Sequence, residues 1–268
     1  MPKEVGKMKT QLRGATAFYG VGNGEHAPEQ PSVVFIHGSG MDHTVWLMPA
    51  RHFARHGYNV VALDLPGHGG SEGPALTSID AMSDWVNALL EDLGIGEAAI
   101  VGHSMGSLVA LDFAARYPTR ARSLALLGTS TPMPVSDVLL DAAKNDDRAA
   151  MVMANTWSHS APGLMGGHKS PGMTLYFGGL RLLQRTPEGV YFADLAACNA
   201  FEAGPLRAEA VACPTLVVLG NEDKMTGPKQ SRAVASLIQG ARVVELDCGH
   251  AMLSEQSNAV LAALKTIV

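Results

Sequence analysis

Cysteine is scarce: Cys198, Cys213 and Cys248 are the only three in 268 residues. They are too few and too scattered for a disulfide framework or a zinc knuckle, which suits a reducing compartment, the cytoplasm. Runs of lysine and arginine are missing too, and the net charge is −5. Without a basic stripe to meet a phosphate backbone, nucleic acid is not an expected partner. No segment approaches the ~20 apolar residues that span a bilayer, and residues 1–12 alternate charged and apolar positions where an export signal would be continuously apolar. A Gly-Lys-Ser/Thr loop is lacking, and the glycine-rich Gly20-Val21-Gly22-Asn23-Gly24 is not followed by a helical pattern, so no phosphate cradle is expected. No His, Cys and carboxylate spacing suggests a metal site. The expectation is a protein with no metal and no cofactor. Its oligomeric state is not legible.

The chain does have apolar material. Hydrophobic residues make up 47% and charged residues 17%, enough to bury a core that offsets chain entropy. With no repeat or low-complexity tract, the organisation follows from apolar runs and their punctuation. The segments 32–37 (SVVFIH), 59–65 (NVVALDL), 98–102 (AAIVG), 123–128 (SLALLG), 214–220 (PTLVVLG) and 242–246 (RVVEL) are short and apolar, and most are bounded by Gly or Asp. They read as buried parallel strands. Helical patterns lie at 45–55, 78–93, 105–116, 228–238 and 254–267. Strand then helix, repeated, predicts an α/β fold with a mostly parallel sheet and helices on both faces. An antiparallel hairpin is expected from 8–12 and 15–19 around Arg13-Gly14. The stretch 129–213 carries no strand signal and many Met and aromatic residues, Met173 among them. A structureless connection of that length is improbable in a compact domain, so it reads as a mostly helical insertion, a lid.

The strand at 98–102 runs into Gly102-His103-Ser104-Met105-Gly106 and then into a helical pattern. A Gly-x-Ser-x-Gly pentapeptide between strand and helix is what a nucleophile elbow needs. The serine must sit in a strained backbone conformation, and neighbours without Cβ let strand and helix approach closely. A hydroxyl is a poor nucleophile until a base takes its proton, and that base needs a third group to fix its tautomer. Asn221-Glu222-Asp223 follows one late strand and Asp247-Cys248-Gly249-His250 the other. Both lie beyond strand C-terminal ends, where ligands bind in open α/β sheets.

His250 is therefore the expected base. His26, His43, His52, His56, His159 and His168 sit in polar loops or on helix faces and read as solvated surface; His68 lies in a glycine-rich turn, and His103 packs beside the serine. For the acid, Asp223 competes with Glu222 and Asp247. Cys248 reads as a buried thiol. Donors for an oxyanion are expected from the backbone N–H of Met105 and of Ser39, the latter in the small-residue loop His37-Gly38-Ser39-Gly40. The segment 64–71 (DLPGHGGS) reads as a structural loop beside the site.

Together HGSG at 37–40, DLPGHGGS at 64–71, GHSMG at 102–106, Asp223 and His250 resemble the α/β-hydrolase superfamily, in its single-domain branch with a helical cap between the sixth and seventh strands. The resemblance covers nearly the whole chain from about Gly14. It implies a core of 1–130 and 206–268 with a cap at 131–205, Ser104 as nucleophile, His250 as general base, Asp223 as orienting acid, and Ser39 with Met105 as the oxyanion hole. Dehalogenase and epoxide-hydrolase relatives carry Asp at the nucleophile position, where this chain has Ser104. The expected substrate is a small or medium carboxylic ester bound in a mainly apolar pocket. Gly38, His103, Met151, Met153, Trp157, Tyr176 and Phe177 are the candidate substrate-binding residues. Carbon–carbon bond hydrolysis of the meta-cleavage type is an alternative suggested by HGSG, although Met41-Asp42-His43 follows where those enzymes commonly have a Pro-Gly pair. Thioesterase, lactonase and perhydrolase chemistry, or a hormone-type receptor on the same fold, complete the set.

Overall fold

The computed structural model describes residues 7–22, 24–145, 148–167 and 174–268. Asn23 of the glycine-rich stretch, and His168 and Met173 of the insertion, lie outside the described residues. The strands are β1 (Lys7–Leu12), β2 (Ala15–Gly20), β3 (Ser32–Ile36), β4 (Asn59–Leu63), β5 (Ala98–His103), β6 (Ala121–Leu127), β7 (Thr215–Gly220) and β8 (Arg242–Leu246). They form one sheet in the order β1-β2-β4-β3-β5-β6-β7-β8. The hairpin β1–β2 is antiparallel, as is the β2–β4 pairing; from β4 to β8 every pairing is parallel.

The period of two along these strands divides the interior. Val34, Ile36, Ile100, Leu124, Leu126 and Val217 face one buried cluster, and Val33, Phe35, Ala99, Val101, Leu127 and Val218 face the other. Helices α2 (Ile79–Asp92) and α3 (Met105–Arg116) cover the first face; α1 (Leu47–Arg55) and α12 (Ser257–Leu264) cover the second. Burial on both faces is why the central strands read as unbroken apolar runs. The run 242–246 departs from this: β8 is an edge strand with Arg242, Val243 and Glu245 exposed, because it has a neighbour only in β7. Two helical expectations are also refined. A 3₁₀ turn at His43–Trp46 precedes α1, and the pattern at 254–267 is split into α11 (Met252–Glu255) and α12 by Gln256, whose φ −131 and ψ 42 are not helical.

Between β6 and β7 lie α4 (Asp137–Lys144), α5 (Arg148–Ser158), α6 (Ala161–Leu164), α7 (Leu175–Leu183), α8 (Val190–Asn199) and α9 (Gly204–Ala210); α10 (Pro228–Leu237) follows β7. Leu139, Ala143, Ala150, Ala154, Leu183, Tyr191 and Leu195 of this insertion form a third cluster of their own. Among the described residues no helix is long and apolar enough to cross a membrane.

Chain order fixes where a site can form. From β3 the chain steps outward to β4, then returns to the opposite side of β3 as β5, so the strand order reverses between β3 and β5. The loops leaving the C-terminal ends of those two strands diverge there and leave a crevice. Those loops carry Ser39 and Ser104.

Candidate active site

Ser104 sits between β5 and α3 at φ 54 and ψ −123. Apart from Arg13, it is the one non-glycine residue with positive φ among the described residues. Such a conformation costs of order 1–3 kcal/mol and persists only where the surroundings enforce it. Here Ser104 N–H donates to Leu127 O at 2.9 Å and Ser107 Oγ donates to Ser104 O at 2.6 Å. The crossing is tight enough to require glycine: a Cβ on Gly102 would lie 2.0 Å from Gly106 O, and one on Gly106 would lie 2.3 Å from Ile36 O. Met105, fully buried, begins α3, so its N–H belongs to the positive end of that helix.

His250 and Asp223 are brought together from the loops after β8 and β7. His250 Nδ1 donates to Asp223 Oδ2 at 2.8 Å, with both side chains buried. The N–H groups of Met225 and Thr226 each donate to Asp223 Oδ1 at 2.8 Å, and Thr226 Oγ1 donates to Oδ2 at 2.9 Å. Burial alone would raise the Asp223 carboxyl, but the His250 ring and the Thr226 donors outweigh it and hold the group well below the usual carboxylate range. The rival acids point elsewhere. Glu222 Oε2 accepts from Ala161 N–H at 3.2 Å, and Asp247 Oδ1 accepts from Asn221 Nδ2 at 3.0 Å. Thr226 was not singled out from the sequence, although Asp-x-x-Thr ahead of Pro228 has the spacing of a carboxylate that closes a turn.

His103 connects His250 to the turn at Ser104. Its Nε2–H donates to His250 O at 2.9 Å, and the two rings are 4.8 Å apart. Full burial holds the His103 ring far down, to about 3, so it stays neutral, and its Nδ1 finds no partner among the described residues. The Gly38 backbone packs against Ser104, where a Cβ would lie 3.1 Å from Ser104 Cβ. His37 ties this loop to its neighbour: Nδ1 donates to Gly38 O at 2.9 Å while Nε2 accepts from Leu65 N–H at 3.1 Å. Burial, helped by the adjacent His68, lowers the His37 ring to about 4, which keeps the acceptor available. Ser39 is half-buried, with Oγ 3.9 Å from Cys198 Sγ on α8. Burial pushes the Cys198 and Cys248 thiols up to about 12, so neither offers a thiolate.

Met151, Met153 and Trp157 are partly buried against the insertion's own cluster, alongside Met225 beside Asp223. Tyr176 packs near His159, and Phe177 is 61% exposed. His159 corrects the sequence reading: it is buried, not solvated, with Nδ1 donating to Asn155 O at 2.7 Å. The insertion meets the His250 loop directly. Ala251 N–H donates to Ser158 O at 2.7 Å, while Glu255 Oε1 accepts from Ser160 N–H at 3.1 Å and from Gly249 N–H at 3.3 Å. His43 also departs from the surface reading, pairing with buried Asp64. Asp42, His43 and Asp64 place three ligand atoms within 4.8 Å of one another. The Asp64 carboxylate is already engaged there, accepting from His43 N–H at 2.6 Å, His43 Nδ1–H at 2.9 Å and Gly70 N–H at 2.8 Å. This arrangement fastens the 64–71 loop to the 3₁₀ turn.

The sequence matches the family described as "alpha/beta hydrolase fold" over residues 31–156. It is similar to a 2-hydroxy-6-oxononadienedioate/2-hydroxy-6-oxononatrienedioate hydrolase of Burkholderia vietnamiensis, with 38% identity over 43% of this chain and 44% of that protein. It is also similar to a pimeloyl-[acyl-carrier protein] methyl ester esterase of Aromatoleum aromaticum, with 40% identity over 38% of each chain. The match thus spans less than half the length of these curated relatives. Among solved structures, the enol-lactonase from Burkholderia xenovorans superposes with a TM-score of 0.85 at 24% identity, covering 97% of this chain and 98% of that one, a likeness of fold.

Proposed function

Because this chain belongs to the α/β-hydrolase superfamily, we propose that it is a serine hydrolase of small or medium carboxylic esters, acting through an acyl-enzyme. The observation that carries this reading is the strained Ser104 elbow, tied through the neighbouring His103 Nε2–H to His250 O at 2.9 Å, together with a buried His250–Asp223 pair at 2.8 Å. In the reaction Ser104 Oγ attacks the ester carbonyl carbon as His250 Nε2 takes the hydroxyl proton. Asp223 holds the Nδ1–H tautomer and stabilises the imidazolium that forms. The N–H groups of Ser39 and Met105 receive the negative charge on the carbonyl oxygen. Collapse breaks the acyl–oxygen bond, and the alcohol leaves with the proton from His250. Water, deprotonated by His250, then attacks the acyl carbon and releases the acid and free Ser104. No metal or cofactor is required by these steps.

Residues 131–205 serve as a cap over a core of 1–130 and 206–268, and the substrate is a small molecule held beneath it. The free thiols suit a reducing compartment, the cytoplasm. Similarity to the Burkholderia vietnamiensis hydrolase favours carbon–carbon bond hydrolysis as the second reading, and similarity to the methyl ester esterase favours the first. The test is turnover of p-nitrophenyl esters of increasing chain length against thioesters, lactones and a ring-fission dienoate. The ester reading predicts the highest kcat/KM on one of the esters; preference for the dienoate would overturn it in favour of the second.

A further inference from the structure

The turn that carries Ser39 is gripped by the insertion. Gly38 to Met41 form a four-residue turn closed by Met41 N–H on Gly38 O at 3.1 Å, with Gly40 at φ 65. In such turns the peptide between the two central residues is the one that flips between turn types, and positive φ at the third residue favours glycine. Here that peptide joins Ser39 to Gly40. Its N–H donates to Asp194 Oδ2 at 2.8 Å, while the Gly40 carbonyl accepts from Thr186 Oγ1 at 2.7 Å. A Cβ on Gly40 would sit 2.7 Å from the Tyr191 ring, so the insertion closes directly on the turn.

Asp194 lies on α8 and is fully buried. Its Oδ2 also accepts from His68 Nε2–H at 2.9 Å, and His68 Nδ1–H donates to Pro66 O at 3.1 Å. Both ring nitrogens thus face acceptors, a geometry that favours the protonated ring; burial disfavours that charge, but Asp194 outweighs burial and raises the His68 pKa. Three pieces of chain therefore converge on one carboxylate oxygen: the oxyanion turn, the 64–71 loop and the insertion. Asp194 Oδ1 is buried without a partner among the described residues. A well-packed apolar residue often serves stability as well as a buried ion pair does, and without an unpaired oxygen, so stability alone is a weak reason for this arrangement.

We infer that Asp194 is a positioning residue: by holding Gly40 N–H it fixes the Ser39–Gly40 peptide, and so the aim of Ser39 N–H, making hydrolysis depend on the docking of α8. The inference rests on the serine-hydrolase reading above. An oxyanion donor acts where charge develops, so losing its alignment weakens the transition state and spares the ground state.

The experiment compares wild type with Asp194→Ala, which removes the one oxygen that accepts from both Gly40 N–H and His68 Nε2–H. The readouts are kcat and KM on p-nitrophenyl butyrate, affinity for phenylboronic acid as tetrahedral mimic, and affinity for butyrate as ground-state product. The expected result is a fall in kcat of about 10²-fold with KM changed by less than about threefold, a matching loss of boronate affinity and unchanged butyrate affinity. Should Asp194→Ala fail to fold, Thr186→Val removes the other grip on Gly40 and should give the same pattern at smaller size. Unchanged kcat in folded variants, or boronate and butyrate affinities falling together, overturns the inference while leaving the serine-hydrolase reading intact. A wild type that neither turns over an ester nor binds the boronate overturns that reading, and the inference with it.

Discussion

At the scale of single residues, the acid offers the sharpest discrimination, because three carboxylates compete in sequence and only Asp223 meets His250. Asp223→Asn places an amide where Nδ1–H must be accepted and favours the wrong imidazole tautomer. Activity should fall by about 10⁴-fold, whereas Glu222→Gln and Asp247→Asn should stay within about tenfold of wild type. Steady-state kinetics on the three variants check this. The same carboxyl carries a stability signature. Its folded pKa is depressed, so the stability it contributes is fully present above its unfolded value near ~3.9 and is lost as pH falls through the folded one. The difference in thermal midpoint between wild type and Asp223→Asn should therefore be largest near neutral pH and narrow below about pH 4. Ser104 and His250 could be singled out from sequence because each follows a strand end with its own local pattern, whereas Asp223 shares that signal with Glu222 and Asp247 until its contact with His250 separates it from them. Thr226 and Asp194 could not, since their roles depend on partners: Asp194 meets Gly40, 154 positions away. His159 was misjudged because a helix in an insertion has no readable inner face until what covers it is known.

At the scale of elements, the parallel strands were legible because both faces of most are buried; β8 is the parallel strand expected at 242–246 but not a buried one, since an edge strand can keep an apolar run while exposing Arg242, Val243 and Glu245. The insertion was visible only as a stretch without strand signal; its helix boundaries and its contacts with Ala251 and Gly40 were not. If the insertion sets substrate choice, Met151→Ala, Met153→Ala, Trp157→Ala, Tyr176→Ala and Phe177→Ala should shift chain-length preference by about 10- to 100-fold without abolishing hydrolysis, since a methylene-sized contact is worth ~1–3 kcal/mol. The effect should be weakest for Phe177, which is 61% exposed. Comparing kcat/KM across the ester series for each folded variant checks this; an unchanged profile in all five would move specificity to the loops around Ser39 and Met105.

At the scale of the whole molecule, the sheet order brings the β3 and β5 loops to one crevice, and the β7 and β8 loops bring Asp223 and His250 together at the C-terminal ends of the same parallel strands. The account stands or falls on whether Ser104 is the nucleophile. The direct measurement is intact-mass analysis with peptide mapping after treatment with a fluorophosphonate, on wild type and Ser104→Ala. The account predicts one adduct in the wild type, mapped to Ser104, and none in the variant, whose kcat falls by about 10⁶-fold while its thermal midpoint is retained. An adduct on another serine, or turnover preserved in Ser104→Ala, would contradict it.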